Sequence, residues 1–240
     1  MVEHEAETRE RLAQCARIFG RLNLLGVGGH VSLRIPDSDL ILITPGGALD
    51  KTRLTAADMV TMDAEGARVR GSYPTPRETA IHVALHARRP ELGSIAHLHA
   101  HWSTVFSVSE RPLRVVLNYA SALGVTIPRY EDHHLVETPE QGEALADVIG
   151  DGAAALMQGH GVTTCGLTLD EMFDVSVNME DNARVLWEAL SIGDVRYVSP
   201  EVLEEHTSTR RKEGTTARAL RYYANLEATD GAQRHFELER

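Results

Sequence analysis

Helix-period and strand-period segments alternate along all 240 residues, and this alternation constrains the fold more than any single motif. The sharpest instance is central. Thr75-Pro-Arg-Glu78 reads as a helix start, with Thr at the N-cap, Pro at N1 and Glu at N3. It predicts a helix to about Arg89, stopped by Pro90, and Gly93-Ser-Ile-Ala-His-Leu-His99 follows as a buried strand. Upstream, Leu12, Cys15, Ala16, Phe19 and Leu22 recur at helical spacing within 5–24. Segments 30–34 and 40–43 read as strands around a Pro-Asp-Ser-Asp turn, and 60–63 as a short strand before a turn at Glu65-Gly66. Downstream the pattern predicts a short helix from Ser103, a strand at 115–117, a helix at 140–149, and strands at 153–158 and 162–165. A second capping box, Thr168-Leu-Asp-Glu171, opens a long helix to about Leu190. The expected class is α/β, with helices on both faces of a sheet. The chain reads as a single domain over 1–240, in which 199–240 form a charged helical tail able to pack on a neighbouring subunit.

Charge narrows the partners. The net charge is −11 with histidines neutral, which disfavours nucleic acid and anionic membrane surfaces. An anionic substrate therefore needs a local cationic pocket. No apolar run approaches the roughly 18 residues of a membrane span, and the charged N-terminus lacks the apolar core of a signal peptide. The two cysteines, Cys15 and Cys165, define no disulfide framework and fit buried thiols in a cytoplasmic protein. Cys165 lies in an apolar strand without adjacent positive charge, and no GxSxG is present, so nucleophilic catalysis is not expected.

Histidine is the compositional outlier, with twelve copies. His97 and His99 are two apart in a strand, so both imidazoles point to one face and can share a metal. The same spacing also fits a pair of surface histidines at a strand end. His101 continues the alternation past the probable strand end and is a competing, outer candidate; His133 and His134 are further histidines without an assigned part. His160, between Gly159 and Gly161, fits either a turn histidine or a third ligand of an open catalytic site. Glu78 fits either a capping residue or a carboxylate acting as general acid/base or fourth ligand, and the two roles are compatible. Gly26-Val-Gly-Gly29 and Thr44-Pro-Gly-Gly47 fit tight turns or backbone anion cradles; neither is a P-loop or a GxGxxG fingerprint.

Taken in order, these motifs resemble the class II aldolase/adducin family, the group of fuculose-phosphate and ribulose-phosphate aldolases. The resemblance runs over about residues 8–192 and rests on Gly29-His-Val-Ser-Leu-Arg34, Ile43-Thr-Pro-Gly-Gly47, Arg77-Glu78 with His82, Ala96-His-Leu-His99, and Gln158-Gly-His-Gly161 with Gly166-Leu-Thr-Leu169. It implies a three-layer αβα sandwich around a mixed, largely antiparallel sheet, and a homotetramer with sites at subunit interfaces. It implies one divalent metal per chain on His97, His99 and His160, commonly zinc, with manganese, cobalt and iron open on the same ligands. It makes Glu78 the acid/base or a labile ligand, assisted by a neighbouring subunit's tyrosine for which Tyr119, or Tyr222 and Tyr223, are candidates.

Departures from the sugar-phosphate aldolases bear on the substrate. Gly29-His30 stands where they have Gly-Asn, Thr44-Pro-Gly-Gly47 where they have Thr-Pro-Ser-Gly, and Pro76-Arg77 where they have Ser-Ser before the Glu. The pocket thus loses serine hydroxyls and gains an Arg and a His, and Arg suits forked recognition of a carboxylate. This looks like the branch that decarboxylates hydroxy-aromatic dicarboxylates. His30, Ser32, Thr44, Gly46, Gly47 and Arg77 are then the expected substrate-binding residues. A small carboxylate is the expected partner, converted by decarboxylation through a metal-stabilised enolate. The alternatives are aldol cleavage of a hydroxy-keto substrate, dioxygen chemistry at iron, and a non-catalytic adducin-like binding module, which predicts lost metal ligands.

Overall fold

The computed structural model describes residues 2–213 and 218–229. The histidine-bearing strand β5 (Ser94–Leu98) is fully buried and pairs antiparallel on both sides. Its neighbours are β1 (His30–Arg34) and β8 (Gly161–Gly166). Outward from β1 lie β2 (Ile41–Ile43), β3 (Val60–Met62) and β4 (Arg68–Arg70); outward from β8 lie β7 (Ala154–Met157) and β6 (Arg129–Tyr130). The order is β4-β3-β2-β1-β5-β8-β7-β6, antiparallel throughout except for the parallel β6–β7 pair. The sheet is therefore mixed and largely antiparallel, as the resemblance implied.

Pleating sends alternate side chains of β5 to opposite layers. Ala96 and Leu98 join the larger core, beneath α1 (Val2–Arg21), α3 (His101–Ser107) and α5 (Leu169–Ile192). Phe19 of α1 stacks there on Phe173 of α5, with ring centroids 4.6 Å apart. Ile95 joins the second core with Ile81 and Leu85 of α2 (Thr79–Arg88) and Leu145 of α4 (Pro139–Ile149). His97 shares the face of Ile95, so it is aimed at the α2 layer.

The structure revises several local expectations. The box at Thr75–Glu78 does not form. The helix starts at Thr79, Glu78 occupies the N-cap without a side-chain cap bond, and its carboxylate is used elsewhere. The box at Thr168 is half formed: Thr168 Oγ1 accepts from Glu171 N, while Glu171 Oε2 accepts from Leu167 N. A complete box that the reading overlooked, Thr138 with Gln141, opens α4. Segment 115–117 is not a strand; the region makes a single bridge, Arg114 with Thr126. Exposed β4 and two-residue β6 carried too little periodicity to be read. The short helix begins at His101 rather than Ser103, because Glu180 of α5 accepts hydrogen bonds from the N–H groups of Trp102 and Ser103 and caps it from outside.

The tail helices α6 (Pro200–Glu213) and α7 (Ala219–Glu227) make contacts within their own chain. Thr207 Oγ1 donates to Ser121 O, Ala219 N donates to Asp174 Oδ1, and Glu227 pairs with Arg17 and Arg21 of α1. The remaining parts of the tail, 214–217 and 230–240, lie outside the described residues. Among the described residues no helix is long and apolar enough to cross a membrane.

Candidate metal centre and active site

Two polar stripes face each other inside the second core. On α2 the four-residue spacing of Glu78, His82 and His86 sets one stripe along the helix face that meets the sheet. On β1 the two-residue spacing of His30 and Ser32 sets the other, and His30 is directly opposite His97 in the β1–β5 ladder. All six side chains are buried. Polar groups in such a place must satisfy one another or a ligand.

His97, His99 and His160 converge. His97 Nε2 lies 3.1 Å from His99 Nε2. Glu78 Oε2 lies 3.4 Å from His97 Nε2 and 3.5 Å from His160 Nε2. One donor atom from each histidine falls within 4.8 Å of the others. A tetrahedral zinc site with Zn–N near 2.0–2.1 Å has ligand–ligand edges of about 3.3 Å, and the His97–His99 and Glu78–histidine spacings of 3.1–3.5 Å match such edges. The protonation also fits. His97 Nδ1 donates to Val162 O at 3.2 Å, which leaves its Nε2 lone pair toward the other donors. Burial, then His99 and His160, holds His97 well below the ordinary imidazole pKa; burial, then His160, lowers His99. Ligand histidines must be neutral, and His97, with its hydrogen on Nδ1, offers its Nε2 lone pair to a cation shared with His99. The donor set fits the expected divalent metal. One donor atom from each of His30, Glu78 and His97 also lies within 4.8 Å of the others.

Local sequence explains how these side chains are presented. A Cβ on Gly28 would sit 2.6 Å from His99 Cε1, so the Gly26–Gly29 loop lies directly on the His99 ring. That loop is a bed for a histidine. At Gly161 a Cβ would meet Leu98 O at 2.3 Å, so only glycine lets the His160 turn come this close to β5. Glu78 is fixed at its other oxygen, where Oε1 accepts from Val136 N at 3.0 Å.

The centre opens on a cavity of about 280 Å³ lined in part by His30, Gly46, Gly47, Lys51, Arg77 and Glu78, together with His99 and His160. Five of the expected site residues other than the metal ligands therefore border it. Others are placed differently. Ser32 is not in the lining: its Oγ lies 2.7 Å from His82 Nδ1 and 3.0 Å from His86 Nε2, deep in the core. Thr44 is buried and its Oγ1 accepts from Val31 N, tying the loop to β1. Gly46 N donates to Pro74 O, so that amide is not free to cradle an anion. Arg77 is 75% exposed at the rim, and its Nε donates to Glu137 Oε1 at 2.6 Å. Tyr119 and Tyr222 are exposed and absent from the cavity of their own chain. His101 is exposed beside Trp102 and borders another cleft, His133 is exposed near Gly159, and His134 is exposed on Asp132. Arg89 does approach Cys165, but burial pushes that thiol up to about 11, so it stays inert.

Two features were missed. The stripe of His82 and His86 was legible as a four-residue spacing continuing Glu78. Lys51 gave no signal, because within Asp-Lys-Thr-Arg it reads as one more solvated cation.

Residues 10–187 match the model of the Class II Aldolase and Adducin N-terminal domain. The chain is 30% identical over 196 residues to a protein of Rhodospirillum rubrum named 5-methylthioribulose-1-phosphate/5-deoxyribulose-1-phosphate aldolase, covering 81% of this chain and 85% of that one. It is 28% identical over 217 residues to the 3-oxo-tetronate 4-phosphate decarboxylase of Escherichia coli (strain K12), covering 84% and 95%. Among solved structures, an L-fuculose 1-phosphate aldolase superposes with a TM-score of 0.78 at 22% identity, covering 85% and 96%, a likeness of fold. The chain therefore belongs to the class II aldolase and adducin family.

Proposed function

We propose that this protein is a metal-dependent carbon–carbon lyase, and that it decarboxylates a small hydroxy-aromatic (di)carboxylic acid. The observation that carries the lyase reading is Glu78, a carboxylate fixed by Val136 N–H with its free oxygen 3.4–3.5 Å from two of the three histidine donors. A divalent metal on His97, His99 and His160, zinc by family habit, supplies Lewis acidity toward a substrate carbonyl or hydroxyl oxygen. The chain's own residues supply the rest. In decarboxylation the bond to the carboxyl carbon breaks, CO2 leaves, and the electron pair stays on the substrate carbon next to the carbonyl. Glu78 lies where it can hold and return the proton that this carbon requires.

The carboxylate preference rests on the cavity's charge. Its lining has two cations, Lys51 and Arg77, beside otherwise neutral groups and Glu78. Aldol cleavage of a hydroxy-keto substrate is the second reading, favoured by the Rhodospirillum rubrum relative. Both use the same site and differ in the leaving fragment, CO2 or an aldehyde. We further propose a homotetramer in which the exposed Tyr119 or Tyr222 reaches a neighbour's site; light scattering tests the assembly, and Tyr119→Phe and Tyr222→Phe test the contribution. The deciding experiment is a substrate panel of ortho-hydroxy aromatic acids and sugar phosphates, assayed with the metal-loaded protein for CO2 and aldehyde release. CO2 from the aromatic acids is expected; aldehyde release alone supports the aldolase, and metal-loaded protein that cleaves neither class overturns both.

A further inference from the structure

Lys51 begins the 3-10 turn at 51–53 and is only 6% exposed. Burying an ammonium is costly unless an anion compensates it. Among the described residues no carboxylate is paired with it. Its acidic neighbour Asp50 is turned outward, accepting from the N–H and hydroxyl of Thr52. The Nζ donates to Pro45 O at 3.1 Å, which uses one of its three hydrogens. Burial lowers its pKa, as expected of a cation short of compensation. Arg77, the other cation of the cavity, is mostly in water and is held by Glu137.

The surroundings favour a single negative charge. The Gly46 amide is bonded to Pro74 O, so the loop that could cradle a phosphate has one N–H group committed to the fold. Glu78 adds negative charge to the same cavity. A carboxylate matches one ammonium, and the Glu78 carboxylate disfavours the second charge of a phosphate dianion.

We propose that Lys51 is the specificity-determining residue of this site, receiving a substrate carboxylate and selecting small carboxylic acids over phosphorylated sugars. The inference rests on the proposed lyase only for the identity of the substrate, since binding is measurable without turnover. The test is calorimetric titration of the purified metal-loaded protein with phthalate and, separately, inorganic phosphate. Wild type, Lys51→Met, Lys51→Arg and the exposed neighbour Arg53→Met are compared. The expected result is about one phthalate per chain, weakened roughly 10–100-fold in Lys51→Met, as for loss of a charge-assisted hydrogen bond. Binding should largely recover in Lys51→Arg and stay near wild type in Arg53→Met. Unfolding midpoints of all four proteins establish that each variant is folded. Equal phthalate affinity in wild type and Lys51→Met, or no anion binding by wild type, overturns the proposal. Phosphate bound more tightly than phthalate, with the same Lys51 dependence, overturns the carboxylate selection. Lys51-dependent phthalate binding by a protein that cleaves no member of the panel retains the site and removes the lyase.

Discussion

His30 Nδ1 lies 2.7 Å from His82 Nε2, and the contact continues from His82 Nδ1 to Ser32 Oγ at 2.7 Å and on to His86 Nε2 at 3.0 Å. Each neutral imidazole has one N–H and one lone pair, so His82 donates at one nitrogen and accepts at the other, and the Ser32 hydroxyl, with one hydrogen and two lone pairs, joins His82 to His86. Ser32 is the junction. Replacing it with Ala leaves one nitrogen on each of His82 and His86 without a partner in a dry core, at a cost of roughly 1–3 kcal/mol per orphaned group. Urea unfolding of Ser32→Ala should show a loss of about 2–4 kcal/mol with an unchanged slope. A loss under 0.5 kcal/mol, the size of a routine surface change, would show that the hydroxyl is dispensable.

The same burial makes stability depend on pH. Burial lowers the pKa of His82 to about 3 and that of His86 to about 2. Unfolded, both titrate near 6.5. Above that value both states are neutral and the histidines add no slope. Below it the unfolded chain binds protons that the folded chain refuses, so stability falls as pH drops from 6.5 toward 3, by about 1.4 kcal/mol per pH unit for each histidine. His86→Gln retains a hydrogen-bonding group but does not titrate. Unfolding of the metal-free protein between pH 6.5 and 4.5 should have a slope smaller by about that amount in this variant; equal slopes would mean that His86 is already protonated in the fold.

These two stripes also show what a sequence reveals. His97 and His99 were legible as a converging pair because strand alternation fixes which side chains share a face, and β5 keeps that alternation through Leu98 without a bulge; His160 joined them only through the resemblance. Glu78 was ambiguous, because helix-start chemistry and metal-site chemistry use the same residue type. Tertiary contact decided it, since Glu78 Oε1 accepts from Val136 N, 58 positions away. Arg77 was legible as an anomaly in a first helical turn, but its partner Glu137 lies across the α2–α4 interface and could not be seen locally. Lys51 and Tyr119 mark opposite limits. A lysine in a polar segment is buried because the loop at 44–47 folds over it, and a tyrosine in an apolar segment is exposed because a 3-10 turn carries it outward.

Gly28 should control metal affinity without donating a ligand. A Cβ there would overlap His99 Cε1 at 2.6 Å, and the His99 backbone cannot retreat because its N–H is bonded to Leu24 O. The ring must rotate, taking Nε2 off the shared centre. Gly28→Ala should therefore keep the fold and lower metal affinity roughly 10–100-fold, the usual scale for disturbing the groups that orient a ligand. Competition with a chelating dye measures it. Wild-type affinity in Gly28→Ala would mean that His99 holds no metal. His97→Ala and His160→Ala should lose the metal outright, against about one divalent ion per wild-type chain by elemental analysis.

Glu78 separates chemistry from binding most cleanly. Its Oε1 accepts from Val136 N, and Oε2 faces His97 and His160. Gln has an oxygen that can keep the first bond and an amide that can neither take nor return a proton at the second position. Glu78→Gln should retain about one metal per chain and lose roughly 10²–10⁴-fold in kcat, the usual contribution of a positioned acid or base. Glu78→Ala should lose the same activity and also roughly 1–3 kcal/mol of stability, because the buried Val136 N–H is left without an acceptor. Metal content, kcat and urea unfolding on the two variants give the full comparison. Loss of metal from Glu78→Gln would make the carboxylate a ligand. Full activity in the metal-loaded Gln variant would move the proton to another group, and a neighbouring subunit's tyrosine would be the next residue to remove.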